Sequence, residues 1–243
     1  MFEGWIGYLI LTLAALAAST VAAVTGFGGA VILLPILTSV VGLREAIPVL
    51  TVAQLIGNAS RVWFNRRDLH YPIIGWFSLG SIPMAIVGSY LFATAPLSTL
   101  TRLLGLLLLV MAAARRLAKD RFPKLSAKSF TGVGAVSSLI SALVGSVGPL
   151  MAPFFLAHGL IRGSYIGTEA ACTVVMHVTK LITYRRYSLL SLDNILFGLA
   201  VGSVMILGSY LGKMILSRVS SRTFELLIEL NLVLAGLLFL FKG

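Results

Sequence analysis

Residues able to do chemistry recur at one fixed spacing. Gln54, Asn58 and Arg61 follow one another at helical intervals, and 119 positions later the chain carries Thr173, His177 and Lys180 in the same register. At roughly 100° per residue, Thr51, Gln54, Asn58 and Arg61 fall within about 80° of one another, so each set is a polar stripe ending in a cation. Two facing stripes of amide, hydroxyl and imidazole groups, closed by Arg61 and Lys180, are suited to attracting and hydrogen-bonding a small anion. Ionisable residues inside apolar segments are costly and face protein or water, which makes them functional candidates. Two other readings fit the same residues. Arg61 and Lys180 lie five positions ahead of Arg66-Arg67 and Arg185-Arg186 and could snorkel as topology anchors, while Gln54 and Asn58 could be hydrogen-bond glue between helices.

A second pair of features sits upstream of each stripe. Gly26-Phe27-Gly28-Gly29 and Gly145-Ser146-Val147-Gly148 interrupt apolar runs, again 119 residues apart. A half-helix starting at Ala30 or Leu150 would turn free backbone N–H groups and its positive dipole end toward the gap, an arrangement that favours an anion. The alternative is close helix packing by small residues. His177 is a candidate for proton coupling, because histidine titrates near neutral pH. Glu169 either shares that role or pairs with Arg162 or Lys180, and Glu229 is a secondary proton-site candidate. No catalytic residues are expected: Ser146 with His177 is the one tempting nucleophile–base pair, and it lacks a third, orienting group. Cys172 is the single cysteine, so no intramolecular disulfide or cysteine metal site can form, and no cofactor or metal is expected.

The elements that must position these residues are set by composition. With 58% hydrophobic and 11% charged residues and a mean hydropathy of +0.99, 243 residues cannot present the polar surface of a soluble globule. Apolar runs of about 20 residues, the length a helix needs to cross the hydrocarbon core, recur throughout. The alternating pattern of a β-barrel is missing from runs such as 103–114 and 230–241. The net charge of +11 comes mainly from bases in short loops, as topology control requires, so nucleic acid is not an expected partner. The first segment, preceded by Glu3 and no base, is expected to be retained rather than cleaved as a signal peptide.

The expected spans are 5–24, 47–64, 72–94 and 97–114 in the first half, and 130–144, 165–184, 195–216 and 224–241 in the second. Short apolar pieces follow each glycine break, at 30–41 with Pro35 and after Pro149 with Pro153, and Arg44-Glu45 turns the chain into the second span. Residues 1–114 and 129–243 thus read as two homologous repeats joined by a basic linker, 115–128. The repeat rests on matched offsets: Arg66-Arg67 with Arg185-Arg186 at 119, and Gly88-Ser89-Tyr90-Leu91 with Gly208-Ser209-Tyr210-Leu211 at 120. The predicted fold is an all-α membrane protein of about eight transmembrane helices in two four-helix repeats, each with a Gly-rich broken or re-entrant segment. With four net crossings per half, 13 of the 19 Lys and Arg residues fall on one side, which the positive-inside rule makes cytoplasmic together with both termini. Five crossings per half would instead give inverted repeats.

Thr25-Gly26-Phe27-Gly28-Gly29, Pro35, Arg44-Glu45-Ala46, Gly145-x-x-Gly148-Pro149, Pro153 and Gly167-Thr168 together resemble the TauE/SafE sulfite exporter family of bacterial inner-membrane proteins. The resemblance covers nearly the whole chain. It implies a secondary exporter or permease for sulfur-containing anions such as sulfite or organosulfonates, lodged in a bacterial inner membrane. The expected partners are the small anion, the lipid bilayer, a coupling proton or sodium ion, and a further copy of the chain in a homo-oligomer. The competing functions are a passive anion channel and, less well supported, a membrane-embedded hydrolase. The second repeat departs from the glycine-rich pattern, with Ser146-Val147 and then Pro149.

Overall fold

The computed structural model describes residues 5–96, 125–145, 147–220, 223–224 and 226–227. Expected span 97–114, most of 224–241 and most of the linker 115–128 lie outside them, as does Ser146. Within the described residues the protein is helical, without strands. Eight α-helices are numbered here: α1 Trp5–Thr25, α2 Gly29–Val41, α3 Leu43–Phe64, α4 Tyr71–Thr94, α5 Phe130–Val144, α6 Gly148–Ala157, α7 Arg162–Arg186 and α8 Leu192–Arg218.

Glycine stops α1 and α5 at matched places. Gly26 takes φ +87° and Gly145 φ +81°, left-handed conformations that cost little only without a Cβ. Their N–H groups still close the last turns, onto Ala22 O at 2.8 Å and Ser141 O at 2.9 Å. The short helices then start one or two residues earlier than hydropathy suggests, at Gly29 and Gly148 rather than Ala30 and Leu150. Pro149 therefore falls in the first turn of α6, where its missing N–H has no intrahelical partner to lose. The turn into α3 is made by Gly42 at φ +79°, and Arg44-Glu45, expected to make it, lie inside the helix. Both α3 and α7 also run past their apolar cores, because their first turns begin in polar sequence that a hydropathy window discounts.

Among the described residues four stretches are long and apolar enough to cross a membrane: Gly7–Thr25, Tyr71–Thr94, Ala127–Val144 and Leu192–Arg218. On α4, Leu79, Ile82, Ile86 and Tyr90 face outward at intervals of three and four residues, and on α8 Leu196, Leu199, Leu207 and Ile215 are likewise exposed. Such faces are at home in lipid, where polar surroundings do not penalise them. The polar helices α3 and α7 are packed among the apolar ones, with Thr51, Gln54, Asn58, Arg61, Glu169, Thr173, His177 and Lys180 all buried.

Contacts between helices are made through small residues, as expected where lipid removes the hydrophobic drive for helix association. Along α4 and α5, a Cβ on Gly80 would strike the Thr131 carbonyl and one on Gly134 the Phe77 carbonyl, while Ser81 and Ser138 share a hydroxyl hydrogen bond of 2.6 Å. Along α1 and α8, Gly208 rests on Ser19 and Leu16, and Gly212 on Ala23 and Thr20. Helix α8 also lies on α3, with Gly198 against Val52 and Gly202 against Ile56. Helix α7 packs on both α3 and α4.

Candidate functional site

At the ends of α1 and α5, side chains from other helices donate to backbone carbonyls, both those left without a further turn and Ala22 O and Ser141 O, which also accept from Gly26 N and Gly145 N. Arg61 Nη1 donates to Ala22 O at 3.0 Å and Gly26 O at 2.8 Å, and Tyr165 OH donates to Thr25 O at 3.0 Å. At the other break, Lys180 Nζ donates to Ser141 O at 3.0 Å and Ser141 Oγ at 3.2 Å, and Tyr184 OH to Ala142 O at 2.9 Å. Ala22 and Ser141 are themselves 119 residues apart. Each cation thus sits at a helix C-terminus, where it opposes the negative dipole end. Neither snorkels: Arg61 is 5% exposed and Lys180 fully buried.

Arg61 is tied more widely. Its Nη1 also lies 3.3 Å from Glu169 Oε2, and its Nη2 donates to Asn58 Oδ1. Asn58 is held in turn by its Nδ2, which donates to Gln54 O at 2.7 Å, and Thr173 Oγ1 donates to Glu169 Oε1 at 3.0 Å. The expected pairing of Glu169 with Arg162 or Lys180 is therefore corrected. Glu169 faces α3, which puts Arg61 in reach, whereas Arg162 at the start of α7 donates to Leu216 O and Lys180, three turns further along, is turned toward α5.

Between the two breaks lies a cavity of about 40 Å³, counted as space for the centres of water-sized spheres. Gly26, Phe27, Gly28, Gly29, Gln54, Asn58 and Arg61 line it from one half, and Gly145, Gly148, Glu169, Thr173 and His177 from the other. Lys180 is not among the lining residues; it lies behind the wall, bonded to Ser141, which does line it. Ala22, Ala30, Ser141, Val147, Met151 and Met176 complete the lining without having been singled out from sequence. Of these Met176 had a usable signal, since it follows Thr173 by three and precedes Lys180 by four on the α7 stripe. The alanines, Val147 and Met151 carry no chemical mark.

Two lining side chains are incompletely satisfied. Among the described residues Gln54 Nε2 and His177 Nδ1 are buried without a hydrogen-bond partner, in residues only 6% and 3% exposed. Buried polar atoms are otherwise nearly always paired. The first turn of α2 adds backbone N–H groups of Gly29 and Ala30 at the cavity wall, unbonded within the helix as in any N-terminal turn, whereas Pro149 contributes none to α6. The breaks are therefore unequal as anion cradles. Phe27 fills the space beside Gly148, where a Cβ would collide with it. No described group of three or more His, Cys, Asp or Glu could hold a metal ion, and no described hydroxyl bonds His177 Nδ1 in the manner of a nucleophile and its base. What the cavity offers is hydrogen-bond donation, one guanidinium and one carboxylate.

The family model described as "Sulfite exporter TauE/SafE" matches residues 11–239. No curated protein and no solved structure matches the chain.

Proposed function

The chain belongs to the sulfite exporter TauE/SafE family, and from that premise we propose that a small sulfur oxyanion, with sulfite as the best fit, binds in the central cavity and crosses the membrane there. Membership makes the protein a membrane transporter of the anion-exporter type. The observation that carries the site assignment is a pair of buried polar atoms without partners among the described residues, Gln54 Nε2 and His177 Nδ1, both in residues that line one cavity. An amide N–H left bare costs about 1–3 kcal/mol, and an oxyanion between the two would satisfy it, with the His177 ring donating when its Nδ1 carries the hydrogen. The Gly29 and Ala30 N–H groups and Arg61 supply further donors. At roughly 10–15 Å³ of such volume per water, the cavity holds about three waters, comparable to the four non-hydrogen atoms of sulfite. Longer organosulfonates require it to open.

Residues 1–114 and 129–243 act in this reading as two repeats, with the basic stretch 115–128 as their cytoplasmic connection in a bacterial inner membrane. Support comes from the matched contacts of Arg61 on Ala22 and Lys180 on Ser141, and from the exchange of partners in which α4 covers α5 while α8 covers α1. Alternating access then rocks one set of helices against the other around the breaks. Purified protein in proteoliposomes tests the proposal: saturable uptake of labelled sulfite, inhibited by other sulfur oxyanions, is the expected result. Ohmic current without saturation would make the protein a channel, and no flux or binding of any sulfur anion would remove the substrate assignment.

A further inference from the structure

Building on the cavity as the anion site, we infer that a proton is the obligatory co-substrate: the anion takes the place of the Glu169 carboxylate beside Arg61, and Glu169 carries the proton that makes this exchange neutral. The observation is a charge balance. Among the described residues that line the cavity, Arg61 and Glu169 carry all the formal charge, and they stand 3.3 Å apart with side chains 5% and 4% exposed. The cavity as it stands is therefore neutral and its one guanidinium already engaged.

Of the acceptors around Arg61, only the carboxylate can leave. The Ala22 and Gly26 carbonyls belong to the end of α1, and Asn58 is tethered through its own Nδ2 to Gln54 O. An anion added beside the intact pair would meet a carboxylate at close range with the one lining guanidinium already engaged, while the next cation, Lys180, is held behind the wall on Ser141. A proton from water on the side to which the site is open, placed on a carboxylate oxygen of Glu169, removes that charge. The neutral carboxyl keeps the Thr173 hydroxyl as a partner, since a hydroxyl both donates and accepts, and Arg61 Nη1 is released to the anion. For the monoanion, hydrogensulfite, formal charge is the same before and after: guanidinium with carboxylate, then guanidinium with bound anion. The proton leaves when the anion does.

The groups around Glu169 support no other counter-ion. Arg61 faces it from α3, and Tyr165, Cys172 and Thr173 from α7 itself. The breaks and the ends of α1, α2, α5 and α6 present backbone, glycine, serine and apolar side chains at this cavity. His177 lies two turns along α7, and Lys180 is behind Ser141.

Infrared difference spectra of the solubilised full chain, with sulfite minus without at constant pH, read the exchange directly. The expected result is the appearance of a protonated-carboxyl band and loss of a carboxylate band in the wild type, both missing in Glu169→Gln. Calorimetric titration in two buffers of different protonation enthalpy should give one more proton taken up per sulfite in the wild type than in Glu169→Gln, a comparison in which the titration of sulfite itself cancels. Sulfite binding without a carboxyl band in the wild type overturns the inference even where the variant fails to fold. Equal proton uptake in the two proteins overturns it as well. The underlying anion site fails with a different signature, the absence of any sulfite-induced heat or spectral change in the wild type.

Discussion

Gln54→Met should make the empty protein more stable and the anion complex weaker, two changes of opposite sign from one substitution. Methionine keeps the length and roughly the volume of glutamine, so repacking should cost less than about 1.5 kcal/mol. The bond that ties Asn58 Nδ2 to the Gln54 backbone carbonyl is untouched. What disappears is Nε2, buried and without a partner. Removing its desolvation penalty should return about 1–3 kcal/mol to the empty state. With the anion bound, the same atom donates a charge-assisted hydrogen bond of about 1.5–3 kcal/mol; its loss adds to the gain of the empty state, so sulfite affinity should fall about 100-fold or more. Thermal unfolding of the purified protein at rising sulfite concentration yields both quantities, the midpoint without anion and the affinity from the ligand-dependent shift. A lower midpoint in the empty variant together with an unchanged sulfite response would refute the reasoning and return Gln54 to the role of glue between helices.

Three further pairs of substitutions follow from particular contacts. Gly148→Ala forces a Cβ into Phe27 and should slow sulfite flux and destabilise by about 1–3 kcal/mol; Phe27→Ala in the same chain should recover part of both, and additive effects in the double-mutant cycle would mean the two do not touch in the working protein. Lys180→Ala should cost about 2–5 kcal/mol in thermal unfolding, because it empties a fully buried position and strips a donor from the end of α5. Arg66→Ala, by contrast, should change stability by no more than about 0.5 kcal/mol, since Arg66 is exposed just past the end of α3 and its described contacts are local, with the carbonyl and the ring of Trp63; equal effects of the two would place Lys180 at the periphery. Gly134→Leu should abolish the monodisperse gel-filtration peak by wedging α5 off Phe77, while Gly132→Leu, which meets nothing within 4 Å, should leave it intact.

How much of this was legible without coordinates depends on the range of the interaction. The helix-stopping glycines at 26 and 145 and the stripes on α3 and α7 are local properties, fixed by φ angles and by a 3.6-residue period, and they read directly from residue order. The starts of α3 and α7 were misjudged because hydropathy scores Arg44, Glu45 and Arg162 as loop, although a helix can begin in polar sequence. Partner choice is a different matter. Arg61 and Glu169 are 108 residues apart, and nothing in either neighbourhood says that α3 and α7 cross with those faces together; proximity in sequence suggested Arg162 instead. Lys180 matches Arg61 in register, yet register cannot tell a cavity wall from the layer behind it. The unmarked lining residues, Ala22, Ala30 and Val147, contribute by being small or apolar at a place only the fold defines.

The seam between α1 and α8 bears on the order in which the chain is made. The small-residue face of α1, at Leu16, Ser19, Thr20 and Ala23, is closed by Gly208 and Gly212, so α1 leaves the ribosome well before its partner, α8, exists. Until then that face must be shielded by lipid or insertion machinery, and until α7 is made Arg61 has no Glu169 to meet. A chain truncated before residue 162 would therefore carry an open seam and an unpaired guanidinium at once, whereas one truncated between 187 and 191 would carry the open seam alone. Quality control could recognise either, and assembly of the charge pair becomes a late checkpoint in biogenesis as well as a feature of the finished site.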